Sequence, residues 1–365
     1  MPETTEKLAL VRAYLKQHQL DGAVFASRGN FAWLTGGGDN HIVSQTERGF
    51  AALAVTARSA WLLANTIESD RIIAEEPVSP FTLKQFPWIE SMATEVKRLA
   101  NGKHFASDDP SFTELPPLPG DFVDEVRSEL TEPEIRRFKS LGRDCALVIE
   151  TVARHLNVGD SEHQVEADMA RHLLARGIQP TVLLVAFDER IKRYRHPTPT
   201  SKHLGKMAML VICGQRHGLV ASQTRLVHFG PLPAELAARH EAVCRVETAL
   251  WAATKPGATW GEVLAAGIAQ YQAEGFAKEW ELHHQGGPAG YAARDLVATP
   301  GETRKVRNRQ AVAWNPSITG TKSEDTFIIE GDQRHVITAS SPEWPTVTVS
   351  VGSERLTRPA ILVRG

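Results

Sequence analysis

Read as a pattern of apolar and polar positions, the chain opens with a helical stripe. Leu8, Leu10, Val11 and Leu15 recur on one face of "EKLALVRAYLKQHQL". "DGAVFAS" predicts a short buried strand, and "RGNFAWLTGGG" after it a Gly-rich turn region. "FAALAVTARSAWLLAN" reads as two strands about a turn at Ala57-Arg58-Ser59, and "TIESDRIIAEE" as a helix with a Thr/Ser-type cap. Alternating β and α elements predict a small α/β domain over residues 1–127.

Proline density rises in "DDPSFTELPPLPGDF" (108–122) and marks a domain edge. Thr131-Glu132-Pro133-Glu134 then has the make-up of a helix start, with an N-cap Thr, an early Pro and acids in the first turn. A long helix follows through "EIRRFKSLGRDCALVIETVARHLN", and "DSEHQVEADMARHLLARG" predicts a second capped helix stopped by Gly177. Strands are expected in "TVLLVAF" and "KMAMLVIC", then a helix pair in "PAELAARHEAVCRVETALWAAT" and "TWGEVLAAGIAQYQAEG". The last third is strand-rich: "QAVAWNPSI", "EDTFIIEG", "RHVIT", "TVTVSVG" and "PAILVRG". Helices first and strands afterwards predict an α+β domain over residues 128–365.

Composition narrows the function classes. A net charge of −2 supplies no basic field for nucleic acid or an anionic membrane. Cys145, Cys213 and Cys244 are odd in number and lack C-x-x-C spacing, which argues against a disulfide framework. The N-terminus lacks the apolar core of a signal peptide, and no apolar run reaches membrane-spanning length. A cytoplasmic protein is expected, with neither nucleic acid nor membrane as partner.

Several stretches taken in order resemble the creatinase / prolidase / aminopeptidase P family: "LDGAVFASRGNFAWLTGG", "TEPEIRRFKSLGRDCA" and "GDSEHQVEADM". The resemblance implies an α+β "pita-bread" catalytic domain preceded by a smaller α/β creatinase-type domain, in a homodimer. Metallopeptidases of that family hold two divalent ions with two Asp, one His and two Glu, a donor set suited to hard ions. Matched motif by motif, the Asp positions fall on Val211 or Ile212 and on Ser222, the His on Gly287, and one Glu on Asn315. Only the last Glu remains, as Glu324 in "KSEDT". The resemblance therefore implies a member depleted of its metal ligands, with no cofactor expected.

Creatinase itself has this fold without a metal, and its essential acid/base histidine falls on His196 in "KRYRHPTP". One of its substrate-holding glutamates falls on Glu324 and the other on Thr224. The cations flanking His196 are expected to lower its pKa and favour the neutral form a general base needs. Glu324 is expected to anchor substrate or orient that base. In "HHQGGPAGYAARD", His283 and His284 read as strand neighbours facing opposite ways, with His284 the one in the site. Arg294, at the family's substrate-binding His position, offers a planar fork for a carboxylate. Tyr194, Arg195 and Arg225 are weaker candidates for substrate contact, as are His41 and Arg48, a region that in family dimers reaches the partner's site.

The expected function is metal-independent hydrolysis of a C–N bond in a small polar carboxylate-bearing compound. His196 would act as acid/base and Glu324 as its catalytic companion. The alternatives are a lyase in the same pocket, an Xaa-Pro-type metallopeptidase with rearranged ligands, and a non-catalytic binding protein.

Overall fold

The computed structural model describes residues 2–365. The chain divides into two compact units. The first takes in residues up to Glu134 with His217–Leu219, and the second Ile135–Arg216 and Val220–Gly365.

The first unit contains α1 (Glu3–Gln17), β1 (Gly22–Ser27), α2 (Arg28–Thr35), β2 (Arg48–Thr56), β3 (Ala60–Asn65), α3 (Ser69–Glu75), β4 (Thr82–Phe86), α4 (Met92–Ala100) and β5 (Phe105–Ser107). Its five strands form one mixed sheet in the order β4-β3-β2-β1-β5. The predicted Gly-rich turn after β1 is instead helix α2. Ser27 caps it by accepting the N–H of Asn30, and Phe31, Trp33 and Leu34 are buried. The glycines serve only as its stop, with Gly36 in the left-handed conformation at φ 78°. Lys7 is fully buried, its ammonium donating to Glu3, to Glu134 and to the carbonyl of Trp33.

The second unit carries α5 (Glu132–His155, whose first turn belongs to the first unit), α6 (Glu162–Leu174), β6 (Gln179–Phe187), α7 (Glu189–Arg193), β7 (Met207–Arg216), β8 (Leu219–Phe229), α8 (Ala234–Ala253) and α9 (Trp260–Ala273). The strand-rich part follows as β9 (Gly286–Ala289), β10 (Ala311–Trp314), β11 (Ser317–Ile318), β12 (Thr321–Lys322), β13 (Asp325–Glu330), β14 (Gln333–Val336), β15 (Thr346–Val351), β16 (Glu354–Pro359) and β17 (Leu362–Arg364). Two four-stranded sheets dominate, in the orders β17-β8-β7-β6 and β14-β13-β10-β9. Mixed helices and sheets make the architecture α+β, as the pattern predicts. The start of α6 is a complete capping box between Ser161 and Gln164. The largest core packs Val243, Val246 and Leu250 of α8 and Trp260, Val263 and Leu264 of α9 onto Val312, Trp314, Phe327 and Ile329 of the second sheet.

Side chains join the two sheets. Thr326 of β13 donates its hydroxyl to the carbonyl of Ser222 in β8 and accepts the Ser222 N–H. The N–H of Thr224 donates to the carbonyl of Glu324 at 3.1 Å. These bonds hold β8 against the start of β13, where the candidate residues lie. No described helix is long and apolar enough to cross a membrane.

Candidate functional site

Neighbouring residues of an extended strand point to opposite faces, and this rule sorts the motif residues into two groups. On β8, Ser222 and Thr224 share one face while Arg225 points the other way. At β13, Glu324 goes with Thr224 and Asp325 with Arg225.

The Arg225 side is a buried ion network. Arg225 donates to Asp325 at 3.1 Å and to the carbonyls of Thr224 and Thr338. Arg358 of β16 bonds Asp325 and Glu247, and Ser323 also bonds Glu247. All of Arg225, Asp325, Glu247 and Arg358 are buried. Burial, and the nearby Asp325 charge, push the Glu247 carboxyl up to about 7 against the pull of Arg358. Each charge there already has a protein partner, so Arg225 holds the sheets together on the side away from Thr224.

The Thr224 side centres on Glu324, 3% exposed. One carboxylate oxygen accepts from Arg294 at 2.9 Å; the other accepts from Lys322 Nζ at 2.8 Å and Thr224 Oγ1 at 2.7 Å. Burial alone would raise the pKa of Glu324, but Lys322 and Arg294, with the Lys322 and Thr224 hydrogen bonds, bring it down to about 2. The other terminal nitrogen of Arg294 donates to Ser222 Oγ at 3.2 Å and to the carbonyl of Ala293 at 2.6 Å, while its buried Nε has no partner. The carboxylate that Arg294 meets is Glu324 of the same chain, through one terminal nitrogen. Lys322, which sequence reasoning missed, lies two positions before Glu324 in "TKSEDT", the spacing that shares a strand face.

Beside this charged group lie three imidazoles. His196 follows α7, while His283 and His284 follow a 3-10 turn (Glu279–Leu282) and precede β9. The Nε2 atoms of His196 and His283 are 3.1 Å apart and share a hydrogen bond. The rings of His283 and His284 stack at 4.4 Å, and those of His196 and His284 lie 5.7 Å apart. The opposite-facing expectation for the histidine pair fails because neither residue is in a strand: both rings lie beside His196, and His283 is the one bonded to it. Burial, then Lys322, holds His196 below its ordinary value, while Glu324 opposes the shift. The same causes bring His283 down to about 2. His284 falls to about 4 through burial and Arg294. All three are neutral near pH 7. The sequence-adjacent cations are not what depresses His196; Arg195, for one, is turned to Glu279 at 2.7 Å and Thr319 at 2.9 Å.

A narrow crevice lies beside the imidazoles, lined by Tyr194, Arg195, Met209, His283, Thr321 and Lys322. Tyr194 is half exposed and under the Arg190 guanidinium. Arg195 keeps a buried Nε without a partner at this cleft. His41 and Arg48 belong to the first unit, where they pair with Asp39 at 2.6 Å and Asp109 at 2.9 Å.

A pair of hard divalent ions does not fit these residues. Gly287 has φ +154°, and a Cβ there would lie 2.3 Å from the carbonyl oxygen of Leu296, so no side chain is accepted at the ligand-His position. Asn315 and Ser222 carry no charge. Glu324, the one carboxylate left, is already neutralised by an arginine and a lysine.

Comparison with known proteins agrees with this architecture. The Creatinase/Prolidase N-terminal domain matches residues 7–141 and metallopeptidase family M24 matches residues 136–335. No curated protein sequence matches significantly. Among solved structures, the chain is similar to a prolidase from Pyrococcus horikoshii OT3, with a TM-score of 0.78 at 15% identity over 93% of this chain and 99% of that one. It is similar to the dipeptidase PepE from Mycobacterium ulcerans, with a TM-score of 0.77 at 18% identity over 99% and 98% of the two chains. An Xaa-Pro dipeptidase from Bacillus anthracis superposes with a TM-score of 0.76 at 14% identity over 99% of this chain and all (100%) of that one. At such identities the likeness establishes the fold. With the family match spanning more than half of its length, the chain belongs to metallopeptidase family M24, built as a pita-bread domain behind a creatinase-type N-terminal domain.

Proposed function

We propose that this protein is a metal-independent hydrolase that cleaves a C–N bond in a small carboxylate-bearing compound. One observation carries the reading: the guanidinium of Arg294 bridges Ser222 and Glu324, two positions where family metallopeptidases carry ligand carboxylates. With Lys322 on the other oxygen of Glu324, protein cations balance the charge that metal ions would otherwise balance.

The remaining groups suit acid/base chemistry. With the Nε2–H of His196 donated to His283, Nδ1 of His196 keeps a lone pair and can act as base. It would take a proton from water as the water oxygen bonds to the carbon of the C–N bond. His283, held neutral, accepts the hydrogen bond of the imidazolium so formed and orients it. Negative charge developing on the tetrahedral intermediate would be stabilised by the Lys322 ammonium. The imidazolium then returns its proton to the leaving nitrogen as the C–N bond breaks, so that one water is added overall. Lys322 and the unpartnered Nε of Arg195 would receive the substrate carboxylate at the cleft, beside Tyr194. Arg294 and Glu324 act from behind, fixing Lys322.

Chelator-treated enzyme incubated with a panel of N-acyl, N-carbamoyl and N-amidino amino acids tests this reading by product mass. The expected result is products heavier by one water, formed by the wild type and not by His196→Ala. Products without the added water would make the enzyme a lyase, and turnover by His196→Ala would refute the mechanism.

A further inference from the structure

His196, His283 and His284 together form a constellation that acid/base chemistry does not require. Each offers a ring nitrogen, and the three nitrogens lie within 4.8 Å of one another. A tetrahedral ion bound at about 2.0–2.1 Å by each nitrogen sets its ligands roughly 3.3 Å apart. The His196–His283 separation of 3.1 Å is already near that value, so rotation of the third ring closes the set. A second observation points the same way. The Nδ1 atom of His284 is buried without a hydrogen-bond partner, and coordination through it would relieve that cost. His196 and the His283–His284 pair come from separate segments, brought together by the ring contacts, the Nε2–Nε2 bond and the neighbouring Arg195–Glu279 ion pair.

We propose that these three histidines bind one borderline transition-metal ion, of the Zn²⁺ or Co²⁺ kind, which occupies His196 and so suppresses its acid/base function. The donor set decides the class of ion: three imidazole nitrogens with no thiolate or free carboxylate favour Zn²⁺, Co²⁺, Ni²⁺ or Cu²⁺ over Mg²⁺, Ca²⁺ or Mn²⁺. Lys322 and Arg294, only partly offset by Glu324, leave one net positive charge beside the ion. Binding is accordingly weaker than at a structural zinc site and reversible by chelators. Three protein ligands leave the fourth position to water or hydroxide. Only the suppressive consequence rests on the proposed hydrolase; the binding stands on geometry alone.

The test titrates chelator-stripped protein with CoCl₂, read by visible absorption, and with ZnCl₂, read by calorimetry. The wild type is expected to develop the intense bands of four-coordinate Co²⁺ at one ion per chain. His283→Ala and His284→Ala should weaken binding at least about tenfold and remove those bands. Should His283→Ala unfold, the half-buried His284→Gln reads the same loss in a folded protein. Absence of the bands in the wild type, or their persistence in the variants, overturns the site. Turnover, where measured, should fall with the binding midpoint of Zn²⁺; full activity at saturating Zn²⁺ overturns the suppressive role. If instead His196→Ala retains turnover while losing the Co²⁺ bands, the hydrolase mechanism fails and the metal site stands.

Discussion

Replacing Glu324 by glutamine removes the one charge that lets Arg294 and Lys322 remain buried. Two routes give the magnitude. Breaking a buried ion pair from one side costs about 3–5 kcal/mol, because the remaining charge is left uncompensated. Independently, a carboxyl held at about 2 against an ordinary 4.5 contributes about 3.4 kcal/mol to stability at neutral pH. Because the folded-state value is depressed, that contribution is fully present above pH 4.5 and is lost as the pH falls toward 2. By pH 3.5 the wild type should have lost roughly 1.4 kcal/mol of it, and Glu324→Gln none. Urea unfolding followed by the fluorescence of Trp260, Trp314 and Trp344, all buried in the second unit, reads the difference. Glu324→Gln should be less stable by about 3 kcal/mol at pH 7, with the gap narrowing at pH 3.5. A gap below about 0.5 kcal/mol at pH 7, or one that widens on acidification, would refute the description of Glu324 as a charge-balanced buried carboxylate.

His196→Ala should keep the far-ultraviolet circular dichroism of the wild type and lose turnover by at least about a hundredfold. In the wild type, the acid limb of kcat/KM should be centred below 6.5, since His196 is held under its ordinary value; a drop centred above 6.5 would contradict this. Gly287→His should not restore a metal site. Its Cβ meets the Leu296 carbonyl at 2.3 Å, so thermal unfolding should show a loss of about 1–3 kcal/mol and no gain on adding Mn²⁺. In the first unit, Lys7→Ala leaves Glu134 buried without its ammonium and should cost about 3–5 kcal/mol, read by urea unfolding.

The sequence carried most of the fold because the strands and helices that build it are strongly periodic and capped. Thr131 and Ser161 mark helix starts, and the β2–β3 turn falls at Ala57-Arg58-Ser59 as the pattern predicts. Helix α2 was hidden because its glycines outweighed a short apolar run whose burial is tertiary. The surviving family motif proved partly structural: Arg225, Asp325 and Thr326 join the two sheets, and sequence alone does not separate such residues from chemical ones. Within the candidate site, His196, Glu324, Thr224, His284 and Arg294 do come together. What the sequence could not supply was the pairing inside that group. It gave no sign that Arg294 would grip Glu324, that Lys322 would complete the triad, or that a 3-10 turn would bring both adjacent histidines to His196.

In the proposed hydrolase, side-chain cations take the charge-balancing role of the family's metal pair. Metal analysis of protein incubated with excess Mn²⁺ and then desalted tests it most directly. The wild type should retain no Mn²⁺; two Mn²⁺ ions held per chain would show that a metal pair, and not Arg294 and Lys322, balances the site's charge.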